Sequence, residues 1–348
     1  MDARYSRQLA LPGFGVAAQE RLASSRVLVI GAGGLGSSVI PSLAAAGVGT
    51  IGIVDDDRVE TSNLHRQLLH GAADVGRSKV QSAAESVAAQ NPATTVIPIE
   101  HRLTAQNALP LFAEYDVVVD GSDNFPTRYL ANDAAVLTGI PLVWGAVSQY
   151  GGQAGVSWQT TYRDLFPAPP PPGSVLSCEA GGVLPTTVAV IGSIMAGEAL
   201  KVITGVGQPL IGRVTLFDGL TGAFRELEYA KDPEAAPITA LIDYELFCGV
   251  GAAISPQELA ARTDGYLLLD VREPWEYELA HLPGAVLVPL GELPEADLPA
   301  KPIVVYCHHG IRSATAREQL EARGFSAVHL AGGIDAWSRE RDPSLARY

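Results

Sequence analysis

An α/β protein built from two domains in series is the fold class this sequence predicts. Three observations carry it. Short apolar runs that read as buried strands alternate with helical stretches, the pattern of parallel strands joined by crossovers. The alternation lapses after Lys231 and restarts near Ser255, and 348 residues suit two domains. Gly31-x-Gly33-x-x-Gly36 lies between the first strand and the first helix, as in a Rossmann-like nucleotide-binding turn.

The elements follow in order. Arg26–Ile30 is a buried-strand run, Leu35–Ala46 a helix, and Thr50–Val54 a second strand ending in Asp55-Asp56-Asp57. Ser78–Gln90 is helical, Thr95–Glu100 and Asp116–Asp120 are strands, a helix starts at Phe125, and Pro141–Trp144 is a strand. Beyond Tyr150, Gln153–Trp158, Arg213–Phe217 and Phe224–Tyr229 read as antiparallel strands, so the sheet of the first domain is mixed. Pro167–Gly173 is nearly all proline and reads as an extended crossing segment, followed by a helix at Thr187–Ile203. Residues 233–253, opening on a stretch rich in Pro, Ala and acid, form a linker between a domain at 1–232 and one at 254–348. The second domain reads helix Pro256–Arg262, strand Tyr266–Leu269, strand Ile303–Tyr306, helix Ser313–Arg323, strand Ala327–Leu330 and a last helix from Ile334.

Composition excludes several function classes. A net charge of −14 argues against a broad nucleic-acid surface. Three cysteines are too few for a disulfide framework and fit a reducing, cytoplasmic setting. The first residues lack the apolar core of a signal peptide, and the most apolar run, Val183–Ile203, carries Glu198 and Lys201 and reads as a buried helix rather than a membrane span.

The chemistry concentrates in two places. Glycines at 31, 33, 34 and 36 let backbone N–H groups approach a phosphate at a helix N-terminus, and Asp55 stands where a carboxylate takes both ribose hydroxyls. That much would suit an NAD-dependent oxidoreductase. Asn63-Leu64-His65-Arg66-Gln67, Gly76-Arg77-Ser78-Lys79 and Ser122-Asp123-Asn124 point elsewhere, because hydride transfer needs no pair of cations beside the phosphates. A triphosphate cleaved between its α- and β-phosphorus does: Arg66 and Lys79 stabilise charge on the leaving pyrophosphate, and Asp123 carries Mg2+ through water. In the second domain the strand Ile303–Tyr306 ends in Cys307, and a six-residue loop, Cys307 to Arg312, enters an Ala-rich helix. Backbone N–H groups converging on a thiol activate it and hold an anion. His308 and His309, with no further ligand nearby, read as loop residues that tune charge. Cys178, in Ser177-Cys178-Glu179-Ala180-Gly181, reads either as a packing residue or as a functional thiol, and Cys248 as buried or linker.

Residues 4–229 resemble the ThiF/MoeB branch of the ubiquitin-activating-like adenylyltransferases. The matching stretches are Arg4-Tyr5-Ser6-Arg7-Gln8, Gly31 to Gly36, Val54-Asp55, Ser62-Asn63-Leu64-x-Arg66-Gln67, Val75-Gly76-x-x-Lys79, Ser122-Asp123-Asn124 with Arg128, and Cys178-Glu179-Ala180-Gly181. The resemblance implies Mg-ATP as the reagent and the C-terminal Gly-Gly of a small ubiquitin-like sulfur-carrier protein as the group adenylated. By position, Asp55 binds ribose. Asn63, Arg66, Lys79, Asp123 and its neighbour Asn124 face phosphates and magnesium. A homodimer is implied, with Arg7 supplied to the neighbouring subunit's ATP. Many relatives carry two CxxC pairs that bind structural zinc; here Thr161 and Asp164 stand at the first pair and Pro233–Ile238 at the second, so no zinc site is expected.

Residues 255–342 resemble a single rhodanese domain through Leu268-Leu269-Asp270-Val271-Arg272-Glu273-x-x-Glu276-Tyr277, His281-Leu282-Pro283-Gly284-Ala285, the Cys307 loop and Ala331-Gly332-Gly333-Ile334-x-Ala336-Trp337. Cys-x4-Arg is the short loop used for sulfur, one residue tighter than in the related phosphatases. The resemblance implies a persulfide on Cys307, held by loop N–H groups and Arg312, that attacks the adenylated carbonyl. For Cys178 the resemblance implies either attack on the adenylate or resolution of the later acyl disulfide to a thiocarboxylate. Together the halves look like a fusion of the MoeZ type, fed by thiosulfate or a cysteine desulfurase. A non-catalytic docking module for a ubiquitin-like protein is the remaining alternative.

Overall fold

The computed structural model describes residues 3–170, 181–242, 244–248, 253–261, 265–299 and 301–348. Cys178, Glu179, Ala180 and the end of the proline run lie outside them. Two compact units divide the described residues. The first takes 3–168 and 181–242, the second 169–170 and 244–348.

The first unit opens with helix α1 (Gly15–Ser24), strand β1 (Arg26–Ile30), helix α2 (Gly36–Ala46) and strand β2 (Thr50–Val54). Helix α3 (Lys79–Gln90), β3 (Thr95–Ile99), β4 (Val117–Asp120), α4 (Phe125–Thr138) and β5 (Leu142–Ser148) complete the alternating part. Then come β6 (Gly151–Ser157), helix α5 (Pro185–Thr204), β7 (Arg213–Asp218) and β8 (Ala223–Glu228). The eight strands lie in the order β3-β2-β1-β4-β5-β6-β7-β8. Ladders from β3 to β5 are parallel, and those from β5 to β8 antiparallel. The expected mixed Rossmann-like sheet is thus what forms. Its chain order reverses between β1 and β4, the switch point where open α/β sheets present a crevice.

Burial on both faces explains why β1, β2 and β4 read as unbroken apolar runs. Helix α5 is long and apolar enough to cross a membrane by length and composition, yet Val188, Ile191, Met195, Ala196 and Ala199 lie in the unit's core. Its buried Glu198 accepts the Leu210 N–H at 2.8 Å and pairs with Lys201. Thr161 and Asp164 form a reciprocal capping box, the Thr161 N–H donating to Asp164 Oδ2 at 2.6 Å and the Asp164 N–H to Thr161 Oγ1 at 3.3 Å. Asp164 Oδ1 also accepts the backbone N–H of Asp232 at 3.2 Å, so hydrogen bonds tie these two segments.

In the second unit, β9 (Ala253–Ile254), α6 (Pro256–Ala261), β10 (Leu267–Asp270), α7 (Pro274–Leu279), β11 (Val286–Leu287), β12 (Ile303–Tyr306), α8 (Ile311–Ala322), β13 (Ala327–Leu330) and α9 (Gly333–Glu340) follow in order. The sheet is wholly parallel in the order β11-β10-β12-β13-β9. The two-residue strands β9 and β11, and helix α7, go beyond the elements read from sequence. Helix α8 begins at Ile311, two residues before the expected start, which places Arg312 in its first turn and shortens the thiol loop. Cys248 is buried, as one of its two readings had it.

His329 on β13 is 2% exposed, and neither ring nitrogen has a hydrogen-bond partner among the described residues. Burial, aided by the nearby Arg317 charge, lowers its pKa from 6.5 to about 4. The unfolded chain therefore binds a proton that the folded chain refuses between those values. The stability His329 contributes is complete above pH 6.5 and is lost as pH falls toward 4, by up to roughly 3 kcal/mol. In urea unfolding, the midpoint of the His329→Leu protein should gain on the parent's as pH is lowered through that window.

Candidate functional site

In the first unit the site is built at the C-terminal ends of β1, β2 and β4. The turn after β1 begins at Gly31, with φ +90°, where an added Cβ would meet the Gly121 carbonyl oxygen at 3.1 Å. At Gly36 an added Cβ would fall 2.1 Å from the Gly31 oxygen, so the turn closes only with glycine there. At Gly34 it would press on Val188 at 2.8 Å, whereas at Gly33 the nearest atom is Gln67 Nε2 at 3.6 Å. Packing thus explains 31, 34 and 36, whereas at Gly33 an added Cβ would make only ordinary contact with Gln67. The peptide of Ala32 is pinned at both ends, its N–H donating to Asp55 Oδ2 at 2.8 Å and its oxygen meeting His70 Nε2 at 2.9 Å. His70 also bonds Ser82 of α3 through Nδ1. The N–H groups of Gly33, Gly34 and Leu35 have no acceptor among the described residues. Free donors at a helix start fit a phosphate chain.

Around this turn the structure gathers most of the residues expected from sequence. Asp55 accepts the Asp57 N–H as well as that of Ala32, and burial raises its pKa against the pull of Lys79. Arg66 lies over the loop, its Cγ 3.7 Å from where a Gly34 Cβ would stand, and its guanidinium bonds Asn63 Oδ1 at 2.9 Å and His65 Nε2 at 2.9 Å. Lys79, buried at the start of α3, gives its ammonium to Asp57 Oδ2 at 2.7 Å, so a phosphate must share or displace that partner. The turn after β4 abuts the glycine turn, the Gly121 N–H bonding the Ile30 oxygen at 2.8 Å. There Asp123 is exposed, with no hydrogen bond or ion pair among the described residues, a free hard-oxygen donor of the kind Mg2+ takes. Asn124 differs from expectation: its Oδ1 accepts the Thr127 N–H at 2.9 Å and caps α4, which leaves only its amide nitrogen for a ligand.

Arg7 is not part of this cluster. It is exposed on the one-turn helix Ser6–Leu9, which Gln8 ties to the Ala46 oxygen at the far end of α2. The 11 residues of that helix put the glycine turn of the same chain about 16 Å away. Two residues without an assigned role in the sequence also join the site. His70 braces the turn through the Ala32 oxygen, and Gln67 is buried beside Gly33 with an Oε1 unpaired among the described residues.

In the second unit Cys307 ends β12 and is 1% exposed. Its sulfur accepts the Gly310 N–H at 3.1 Å, and Gly310 turns the chain into α8 at φ +95°. The loop is braced by α9, whose Ile334 and Asp335 N–H groups donate to the Cys307 and His308 oxygens at 2.9 and 3.1 Å. Gly333 makes this approach possible, since a Cβ there would meet both oxygens at 2.3 Å. The N–H groups of His308, His309, Ile311 and Arg312 remain without acceptors among the described residues, an anion site beside the thiol.

Arg312 departs from its expected role of holding the anion directly. Both terminal nitrogens form a fork onto Glu276, at 2.6 and 2.7 Å. Burial would raise the Glu276 pKa, but hydrogen bonds from Arg312, the Glu273 backbone and Tyr348 bring it down to about 2. What Arg312 retains for an anion is its Nε and its field. His308 and His309 do have a possible third ligand: with Asp335, their ligand atoms lie within 4.8 Å of one another. Asp335 is already paired with Arg339 at 3.2 Å and Arg347 at 3.0 Å, a poor setting for a cation.

Two family models match, the ThiF family over residues 5–237 and the Rhodanese-like domain over residues 255–340. The chain belongs to the ThiF family. The Mycobacterium tuberculosis protein "Probable adenylyltransferase/sulfurtransferase MoeZ" is 49% identical over 372 residues, which cover 99% of this chain and 95% of that protein. A Thermus thermophilus "Sulfur carrier protein adenylyltransferase" is 50% identical over 262 residues, covering 71% of this chain and 96% of that one. "Adenylyltransferase and sulfurtransferase MOCS3" of Drosophila yakuba is 41% identical over 384 residues, 99% of this chain and 85% of its own. The crystal structure of E. coli MccB with ATP shares the fold, at TM-score 0.60 and 21% identity over 72% of this chain and 74% of that one. This ThiF-family chain is therefore an enzyme with adenylyltransferase and sulfurtransferase activities, and the oxidoreductase and docking-module alternatives fall away.

The two glycines should separate in mutagenesis. Gly36→Ala forces backbone apart and should cost on the order of 3 kcal/mol or more, read as a large fall in Tm. Gly33→Ala should leave Tm within a few degrees and show its effect in nucleotide binding by calorimetry.

Proposed function

We propose that the first unit adenylates the C-terminal glycine of a small ubiquitin-like sulfur-carrier protein and that Cys307 then supplies sulfur as a persulfide to give a thiocarboxylate. The observation that carries this reading is a thiol at a strand end beside unspent N–H donors, in a chain whose other sheet offers unspent donors at a glycine turn. The relatives' names support the two activities, and their order is part of the proposal.

A carboxylate oxygen of the carrier's terminal glycine attacks the α-phosphorus of ATP, and the electron pair of the broken P–O bond leaves with pyrophosphate. The free N–H groups of Gly33 and Gly34 and the charges of Arg66 and Lys79 stabilise that departing anion. Asp55 takes the ribose hydroxyls, and Gly31 and Gly36 keep the turn narrow. Asn63 orients Arg66 through the bond at 2.9 Å. Asp123 would hold Mg2+, which when bound would supply neutralising charge on the phosphates. In the second unit, the terminal sulfur of the Cys307 persulfide attacks the activated carbonyl carbon, and AMP leaves. Cys178 thiolate then attacks the Cys307 sulfur, the thiocarboxylate departs with the bonding pair, and a dithiol reductant must reopen the Cys178–Cys307 disulfide.

A homodimer suits the position of Arg7, which lies too far from its own glycine turn to serve it and would reach a second copy's ATP. Thiosulfate or a cysteine desulfurase would charge Cys307, and a chain with only three cysteines suits the cytoplasm.

ATP–pyrophosphate exchange with a Gly-Gly carrier tests the first half. Lys79→Ala should slow it by on the order of 100-fold, while Cys307→Ala leaves it at the parent rate. Intact mass of the carrier after incubation with ATP and thiosulfate tests the second half. The parent should exchange one oxygen for sulfur and Cys307→Ala should not; sulfur delivered equally by both proteins would overturn the assignment.

A further inference from the structure

We propose that Tyr348 is a positioning residue for sulfur transfer, acting on the Cys307 loop from two sides through His308 and through the Glu276–Arg312 pair. This rests on Cys307 being the residue that carries sulfur. Arg272 donates from Nη1 to the Tyr348 hydroxyl at 2.7 Å, and that hydroxyl donates to Glu276 Oε1 at 2.8 Å. Glu276 in turn holds Arg312 with both oxygens. The Tyr348 ring stacks on His308, the residue after the thiol, with centroids 4.1 Å apart and planes 15° from parallel, and Trp275 meets its edge at 5.6 Å.

The surroundings hold Tyr348 in this place. Leu345 packs on the unit's core, Ser338 Oγ donates to the Leu345 oxygen at 3.2 Å, and Arg347 pairs with Asp335 at 3.0 Å. Arg272 is fully buried on Asp270 and cannot move to Glu276 itself, so the phenol bridges two fixed charges. That bridge has a chemical consequence. The hydroxyl takes up part of the negative charge of Glu276, and Arg312 keeps more of its field for an anionic sulfur at Cys307. Burial and the Glu276 carboxylate push the Tyr348 phenol up to about 12, so the donor stays protonated throughout the working range. The ring does a separate job: by flanking His308 it fixes the peptide that offers the first unspent N–H beyond the thiol.

The test uses the full chain with Tyr348→Phe, which keeps the ring, and Tyr348→Ala, which keeps neither function. Sulfur transfer is read from thiosulfate to cyanide. The thiolate takes the outer sulfur and expels sulfite with the electron pair, and cyanide then removes that sulfur as thiocyanate. Tyr348→Phe should lower kcat about tenfold or less at unchanged KM, the loss of one charge-assisted hydrogen bond. Tyr348→Ala should lower it further, and iodoacetamide alkylation of Cys307, followed by peptide mass, should slow in the same order. Both proteins should melt within a few degrees of the parent, because Tyr348 is 40% exposed. Parent-like turnover and alkylation in Tyr348→Ala would overturn the proposal, as would losses that merely track a fall in Tm. If the parent itself forms no thiocyanate, thiosulfate is not the sulfur source for Cys307, and the alkylation rates still decide whether Tyr348 positions the loop.

Discussion

A parallel strand that turns directly into a helix leaves amide donors with nothing of the protein to bond, and both units are arranged around keeping them unspent. In the first, the donors at Gly33, Gly34 and Leu35 stay free because Ala32, just before them, is locked through its own N–H by Asp55 and through its oxygen by His70. In the second, helix α9 takes the oxygens of Cys307 and His308 while the N–H groups of His308 and His309 are left over. Neither turn could hold its shape by internal hydrogen bonds without consuming the groups that give it chemistry. The bracing therefore comes from neighbouring elements, and glycine is required where those elements come closest, at Gly36 and Gly333.

Charges buried near the turns obey the same logic. Asp120 is fully buried at the end of β4, with Oδ1 on the Ser122 N–H and Arg128 Nε 4.0 Å from Oδ2. Arg128 bonds the Ser122 and Gly145 oxygens, so the pair fixes the turn that carries Asp123. Asp270 and Arg272 do the equivalent at the end of β10, at 2.6 Å and without exposure. Such pairs add little net stability, since desolvation offsets most of the attraction. Their value is geometric, because losing either partner leaves a lone buried charge.

The fold was legible because burial on both faces wrote β1, β2, β4 and β12 as apolar runs, and because Gly31-x-Gly33-x-x-Gly36 has a steric reason visible in spacing alone. The short strands β9 and β11 were not legible; two residues carry no period. Among site residues, Asp55, Arg66 and Asp123 converge where strand order and motif spacing place them. Arg312 and Asn124 show the limit of that approach. Each has the right residue type at the right offset, but a partner distant in sequence, or a local capping bond, claims its donors or acceptors. The Arg312 partner, Glu276, sits 36 residues away, and His70 reaches Ala32 across 38. No window short enough to show periodicity contains such pairs. Tyr348 lay outside every motif, and only the folded chain brings it to the thiol loop.

The near-complete enclosure of Cys307 has a further consequence. Oxidation of a thiol follows its exposure as well as its thiolate character, so a sulfur enclosed in this way is shielded from dissolved peroxide and oxygen.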